Sequence, residues 1–139
     1  MGGDKYSYYE YDSTISSFSS DLAFPRLLGC GEDLYLPSNS TSRLLISSTD
    51  VIHSFAVPSL ALKVDALPGR INQLLVIPVR AGLYFGQCSE ICGSNHSFMP
   101  IRLKVCSADI FTTICSSYLL DSVSDAFSSD LSLGYLNFA

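Results

Sequence analysis

Cys88, Cys92, His96 and Met99 fall within twelve residues at the spacing C-x3-C-x3-H-x2-M, and His53 lies 35 residues before the first of them. Thiolate, imidazole and thioether form the ligand set that soft copper takes in preference to harder divalent ions. One Cys, one His and one Met on a loop, with a second His far upstream, would describe a mononuclear blue-copper site. The second thiol alters that reading. Two thiolates on one short loop can bridge a pair of copper ions, leaving His53, His96 and Met99 to complete the two coordination spheres. The pattern points to a dinuclear copper electron-transfer centre.

Each element has a plainer explanation when taken alone. A C-x3-C pair can be structural, redox-active or zinc-binding. Zinc would be satisfied by two Cys and two His and has no use for a Met in register. Met99 could fill a core. A Cys88–Cys92 disulfide suits an oxidising compartment but leaves His96 and Met99 without a role. Only the copper reading uses all five residues.

Such a loop needs rigid elements on both sides. Before it, Leu83-Tyr84-Phe85 is short, aromatic and β-prone, bounded by Gly82 and Gly86. After it, Ile101-Arg102-Leu103-Lys104-Val105 alternates apolar and basic side chains, the period of a half-buried strand. The ligand loop therefore joins consecutive strands at one end of a sheet. Arg43 to Ile46 is a further strand, and Phe55 to Val57, Leu60 to Val64 and Ile71 to Val79 continue the short apolar segments. Pro58, Pro68-Gly69 and Pro78 punctuate them. With no sustained helical period between residues 22 and 105, residues 32–105 read as an all-β Greek-key sandwich.

Three stretches carry a family resemblance: Asp50 through Leu60, Asp65 through Gln73, and Gly82 through Pro100. In that order they resemble the copper-binding (CuA) domain of mitochondrial cytochrome c oxidase subunit 2, and the likeness covers most of the chain from Leu34 to Val105. Nitrous oxide reductase has a related dinuclear copper domain, but the run from Gln87 to Pro100 is more similar to the oxidase. The resemblance implies a cupredoxin-like barrel on the intermembrane-space side of the mitochondrial inner membrane.

It also implies individual roles. Cys88 and Cys92 would bridge the coppers, with His53 and Met99 completing one ion and His96 and the backbone carbonyl of Glu90 the other. The Glu90 side chain would then help bind magnesium shared with subunit 1, a hard cation suited to carboxylate oxygen. Asp65 and Arg70 match positions at the subunit 1 interface. Cytochrome c would be the electron donor, docking on acidic residues such as Asp50 and Glu10, since a negative patch steers a basic partner.

Composition bounds the rest. The 139 residues suffice for one modest core. With 47% hydrophobic and only 15% charged residues, a fully solvated monomer is not expected. No apolar run is long enough to span a membrane, whereas the family carries two membrane helices before the copper domain. The expectation is the copper half of a split subunit, with the membrane-anchoring half on a separate chain or left out of this polypeptide. Met1 to Asp4 show no secretory or transit pattern. The opening Tyr6 to Tyr11 resembles the family's aromatic segment, yet the chain has no Trp, and Lys5 or Ser7 stands near the expected one. Tyr6, Tyr8 and Tyr9 either take over electron entry or pack an edge strand. No basic stripe accompanies the aromatics, so no nucleic-acid partner is expected.

Residues 1–31 read as an aromatic segment leading into the barrel, and residues 106–139 as a C-terminal extension that is partly helical. Within the extension Ile110, Phe111, Ile114 and Tyr118 fit one helix face, and residues 121–139 read as an irregular or partner-bound tail. Cys30, Cys106 and Cys115 read as buried or inert thiols, with a Cys106–Cys115 disulfide as the alternative.

Two functions follow. The first is the electron-transfer subunit of cytochrome c oxidase, passing single electrons to the haem of subunit 1 for oxygen reduction coupled to proton pumping. The other is a non-enzymatic copper-delivery protein on the same scaffold. Delivery calls for exposed, exchangeable ligands, whereas Phe98, Pro100 and Pro58 are expected to flank these with rigid apolar groups.

Overall fold

The computed structural model describes residues 11–14, 27–125 and 136–138. Seven strands precede one helix: β1 (Leu34–Pro37), β2 (Ser42–Ser48), β3 (His53–Val57), β4 (Leu62–Ala66), β5 (Asn72–Val76), β6 (Gly82–Cys88) and β7 (Pro100–Cys106), then α1 (Ala108–Asp125) and a last strand β8 (Leu136–Phe138). They form two sheets, ordered β1-β7-β6-β3-β4 and β5-β2-β8. β1 runs parallel to β7 and β8 parallel to β2, and the other pairings are antiparallel. The result is a curled, mostly β half-barrel of the cupredoxin type with one C-terminal helix.

The core lies between the sheets, where Ile46, Phe55, Val57 and Leu103 are almost wholly inaccessible. Burying such a side chain contributes about 1.5–3 kcal/mol each. β7 follows its pattern: Ile101, Leu103 and Val105 face the core, while Lys104 is exposed. Arg102 on the outer side is tied to Asp33 in a largely covered ion pair. β3 differs, because all five residues are buried. It lies between β6 and β4, and neither of its faces is left to water.

Close approach of β3 and β6 depends on Gly86, where an added Cβ would collide with the carbonyl oxygen of Ala56. Phe55 pairs with Cys88 and Ala56 with Gln87 across this seam. The first residue of β3 and the last of β6 therefore emerge at the same end of the sheet.

The extension departs from expectation in two places. Its helix runs to Asp125, and β8 pairs with β2, so within the expected irregular tail the described residues, 121–125 and 136–138, are helix and strand. Its half-buried face is Phe111, Ile114, Cys115 and Tyr118, whereas Ile110 is 55% exposed. The helix packs against β1, which turns that face inward by part of a turn relative to the apolar count. Thr112, Thr113, Ser116 and Ser117 donate hydroxyls to carbonyls three or four residues back, which satisfies these polar groups within the helix. All five cysteines are free thiols, including Cys106 and Cys115. Among the described residues no helix is long and apolar enough to cross a membrane.

Candidate metal centre

The loop after β6 folds back onto the sheet end through its own backbone. The Cys88 amide donates to the Met99 carbonyl at 3.1 Å, and the Ser89 amide to the Ser54 carbonyl at 3.0 Å. Between these anchors Gly93 adopts φ 135°, a conformation side chains disfavour, and the chain turns into a short 3-10 turn at His96–Phe98. The turn is closed by amides of His96 and Phe98 bonding to Gly93 and Asn95.

These constraints gather donor atoms from β3, β6 and the loop. Cys88 Sγ lies 3.9 Å from His53 Nδ1, 3.3 Å from the Glu90 carbonyl oxygen and 3.9 Å from Cys92 Sγ. Cys92 Sγ lies 3.6 Å from His96 Nδ1 and 3.4 Å from Met99 Sδ. Ligand atoms of His53, Cys88 and Cys92 all fall within 4.8 Å of one another. Each sulfur thus has two further donors of its own and shares the other sulfur. Two thiols, two imidazoles, a thioether and a carbonyl form a soft set that fits copper better than a hard cation.

Burial grades across the cluster. His53 is 2% exposed and Cys88 6%, while Cys92, His96 and Met99 are half-buried. Burial acts to lower the His53 pKa, but hydrogen bonds to Asp50 and Cys88 outweigh it and leave the imidazole above its usual value. Burial likewise acts to raise the Cys88 thiol. Hydrogen bonding to the Glu90 and Ser54 backbone and to the imidazoles brings it down to about 7. Cys92 is raised, first by burial and then by Cys88 beside it.

The other expected residues divide. The Glu90 backbone enters the cluster and the residue itself is exposed. The Asp50 side chain is 52% exposed, with Oδ1 2.8 Å from His53 Nε2. Asp65 and Arg70 lie at the same end of the sheet, since His53 pairs with Ala66. Asp65 accepts a 2.8 Å hydrogen bond from the Ser54 hydroxyl, and Arg70 is exposed after a turn closed on Leu67. Glu10 lies outside the described residues, as do Lys5, Ser7, Tyr6, Tyr8 and Tyr9. Pro58 does not flank the ligands: it follows the far end of β3, a whole strand from His53. Phe98 is 47% exposed and lies on the surface beside them.

Sequence reasoning missed Ser48, whose buried hydroxyl donates to the Val51 carbonyl and lies 3.0 Å from Asp50 Oδ1. Its spacing two residues before Asp50 and five before His53 was the available signal.

The family model described as "Cytochrome C oxidase subunit II, periplasmic domain" matches residues 3–106. The crystal structure of the periplasmic domain of subunit II of cytochrome oxidase of Bradyrhizobium japonicum is similar, with 36% identity, a TM-score of 0.73, and 81% of this chain and 79% of that one covered. A second structure is a mixed-disulfide intermediate between a thioredoxin-like protein and subunit II of cytochrome c oxidase. It matches at 34% identity and TM-score 0.67, over 81% of this chain and 77% of that one. A cryo-EM structure of a heme-copper terminal oxidase dimer matches at 26% identity and TM-score 0.50, over 52% of this chain and 50% of that one.

Proposed function

The chain belongs to the cytochrome c oxidase subunit II family, as the periplasmic-side domain of that subunit, and on that premise we propose that Cys88 and Cys92 bridge two copper ions. It is the electron-transfer subunit of a haem-copper oxidase. The reading of the site rests on one observation: both thiols meet in one cluster with His53, His96, Met99 and the Glu90 carbonyl. His53 and Met99 complete one ion; His96 and the Glu90 carbonyl complete the other. A copper pair held there supplies one-electron redox chemistry with the charge shared across both thiolates. The chain's own part is to hold six donors on a folded sheet end, so that little has to move when an electron arrives or leaves. His53 and Cys88 are too buried for ready exchange of metal, which disfavours copper delivery.

Glu90, Asp65, Arg70 and Asp50, all at the metal-site end of the sheet, are the described residues offered to partners. The exposed Glu90 carboxylate, with Asp65 and Arg70, is the part that meets subunit 1, where Glu90 shares a magnesium ion. Asp50 and Glu10 receive cytochrome c, at the intermembrane-space side of the mitochondrial inner membrane. The relative caught in a mixed disulfide with a thioredoxin-like protein suggests a maturation step. Cys88 and Cys92, if oxidised to a disulfide, would be returned to thiols by exchange with the dithiol of such a protein, which leaves as its own disulfide before copper enters. Native purification tests the assembly: this chain should travel with subunit 1, and the same preparation reads whether the membrane anchor sits on a separate polypeptide. A chain recovered free of any oxidase would contradict the proposal.

A further inference from the structure

His53 is held from both sides. Its Nδ1 faces Cys88 Sγ at 3.9 Å, and its Nε2 lies 2.8 Å from Asp50 Oδ1. An ionised carboxylate can only accept a hydrogen bond. Nε2 must therefore carry the proton, and in the neutral ring Nδ1 is left with its lone pair turned toward the sulfur. Asp50 is itself braced by Ser48, whose single hydroxyl proton is shared between the same Oδ1, 3.0 Å away, and the Val51 carbonyl, and whose oxygen accepts from the Asp50 amide at 3.4 Å. Ser48 ends β2 and His53 begins β3, so the braced carboxylate ties the imidazole to the connection between those strands.

We infer that Asp50 is a positioning residue for His53, fixing the imidazole as its Nε2–H tautomer and aiming Nδ1 at the metal-binding cluster through a Ser48–Asp50–His53 chain. This rests on the copper reading above only for what Nδ1 faces; the tautomer itself belongs to the metal-free protein. It gives Asp50 a task separate from docking, although its side chain is half exposed. A carboxylate behind a ligating imidazole fixes ring orientation and raises ligand basicity, and losing it commonly costs 10–100-fold in metal affinity. The upstream ligand is the one that most needs such help, because β3 delivers it from outside the loop that carries the others.

Two substitutions separate the roles of Asp50. Asp50→Ala removes the acceptor, whereas Asp50→Asn removes the charge but keeps a side-chain carbonyl that can accept from Nε2–H. Imidazole 15N chemical shifts of the copper-free full chain, taken where the ring is neutral, read the tautomer directly. Cuprous and cupric competition titrations read the affinity. The wild type and Asp50→Asn should both show a protonated Nε2 and a bare Nδ1. Asp50→Ala should show a mixture of tautomers and bind copper roughly 10–100-fold more weakly. Asp50→Ala with wild-type 15N shifts would overturn the inference. Failure of every variant and the wild type to bind copper would instead sink the copper reading, while the 15N comparison still decides the role of Asp50.

Discussion

The sulfur atoms of Cys88 and Cys92 stand 3.9 Å apart at the end of β6, each next to a different imidazole. A disulfide would need about 2.05 Å, so these are separate thiols. They are also too close to serve two independent sites. Cys88 is anchored by sheet hydrogen bonds, whereas Cys92 rides on the loop and brings His96 and Met99 with it. Sharing both sulfurs is the arrangement that uses all six donors.

Cys88→Ser should therefore lose the pair, leaving at most one copper per chain. A hydroxyl is a poor ligand for soft copper, and Cys92, His96 and Met99 stay together on the loop without it. Metal analysis by mass spectrometry under native conditions checks the stoichiometry. Retention of two coppers would remove Cys88 from the bridge.

Gly86→Ala should weaken the fold and the site together. The new methyl group meets the Ala56 carbonyl oxygen, and β6 must move from β3 along the seam that aligns His53 with Cys88. Overpacking of this kind costs about 1–3 kcal/mol. The denaturant midpoint of the metal-free protein should fall, and copper uptake should slow in step.

Acid should release copper from the wild type. Metal binding requires a thiolate and a neutral imidazole. Cys88 has a pKa of about 7 in the metal-free protein, and His53 lies above its usual 6.5. Below neutral pH both therefore bind protons in competition with metal, while Cys92, raised above its usual 9.0 first by burial, competes over the whole range. Apparent affinity should drop from roughly pH 8 to 5, more steeply below about 7. Asp50, held down to about 2, first by its hydrogen bond with His53 and then by the Val51 backbone, stays ionised throughout that range. Copper competition titrations across that range check the slope; a flat profile would contradict it.

If cytochrome c docks on Asp50 and Glu10 as proposed, its association should weaken as ionic strength rises. Exposed charges are screened over about 8–10 Å near physiological salt, and rim charges act mainly on the encounter rate. Glu10→Gln should lower the stopped-flow association rate at low salt and matter less at high salt. A rate indifferent to both would place the docking patch elsewhere.

Parts of this architecture were readable from the chain and parts were not, for physical reasons. The ligand loop announces itself because soft donors at fixed spacing have few other uses, and β7 because Ile101, Leu103 and Val105 alternate with outward-facing neighbours. β3 shows no alternation, since both its faces are buried. Pro58 looked like a neighbour of His53, yet five strand residues at about 3.3 Å each put it at the opposite end. In α1 the face that packs is set by β1, so Cys115 turns inward where Ile110 was expected. Ser48 offered only its spacing as a signal, because its role depends on the bend at residues 49–51 that brings Val51 and Asp50 back to its hydroxyl.

The most direct test of the central claim is the electron paramagnetic resonance spectrum of the copper-loaded chain, taken with its metal content. Two coppers per chain are expected and, in the one-electron-oxidised pair, hyperfine splitting shared equally between two copper nuclei. One copper per chain with splitting from a single nucleus would contradict it.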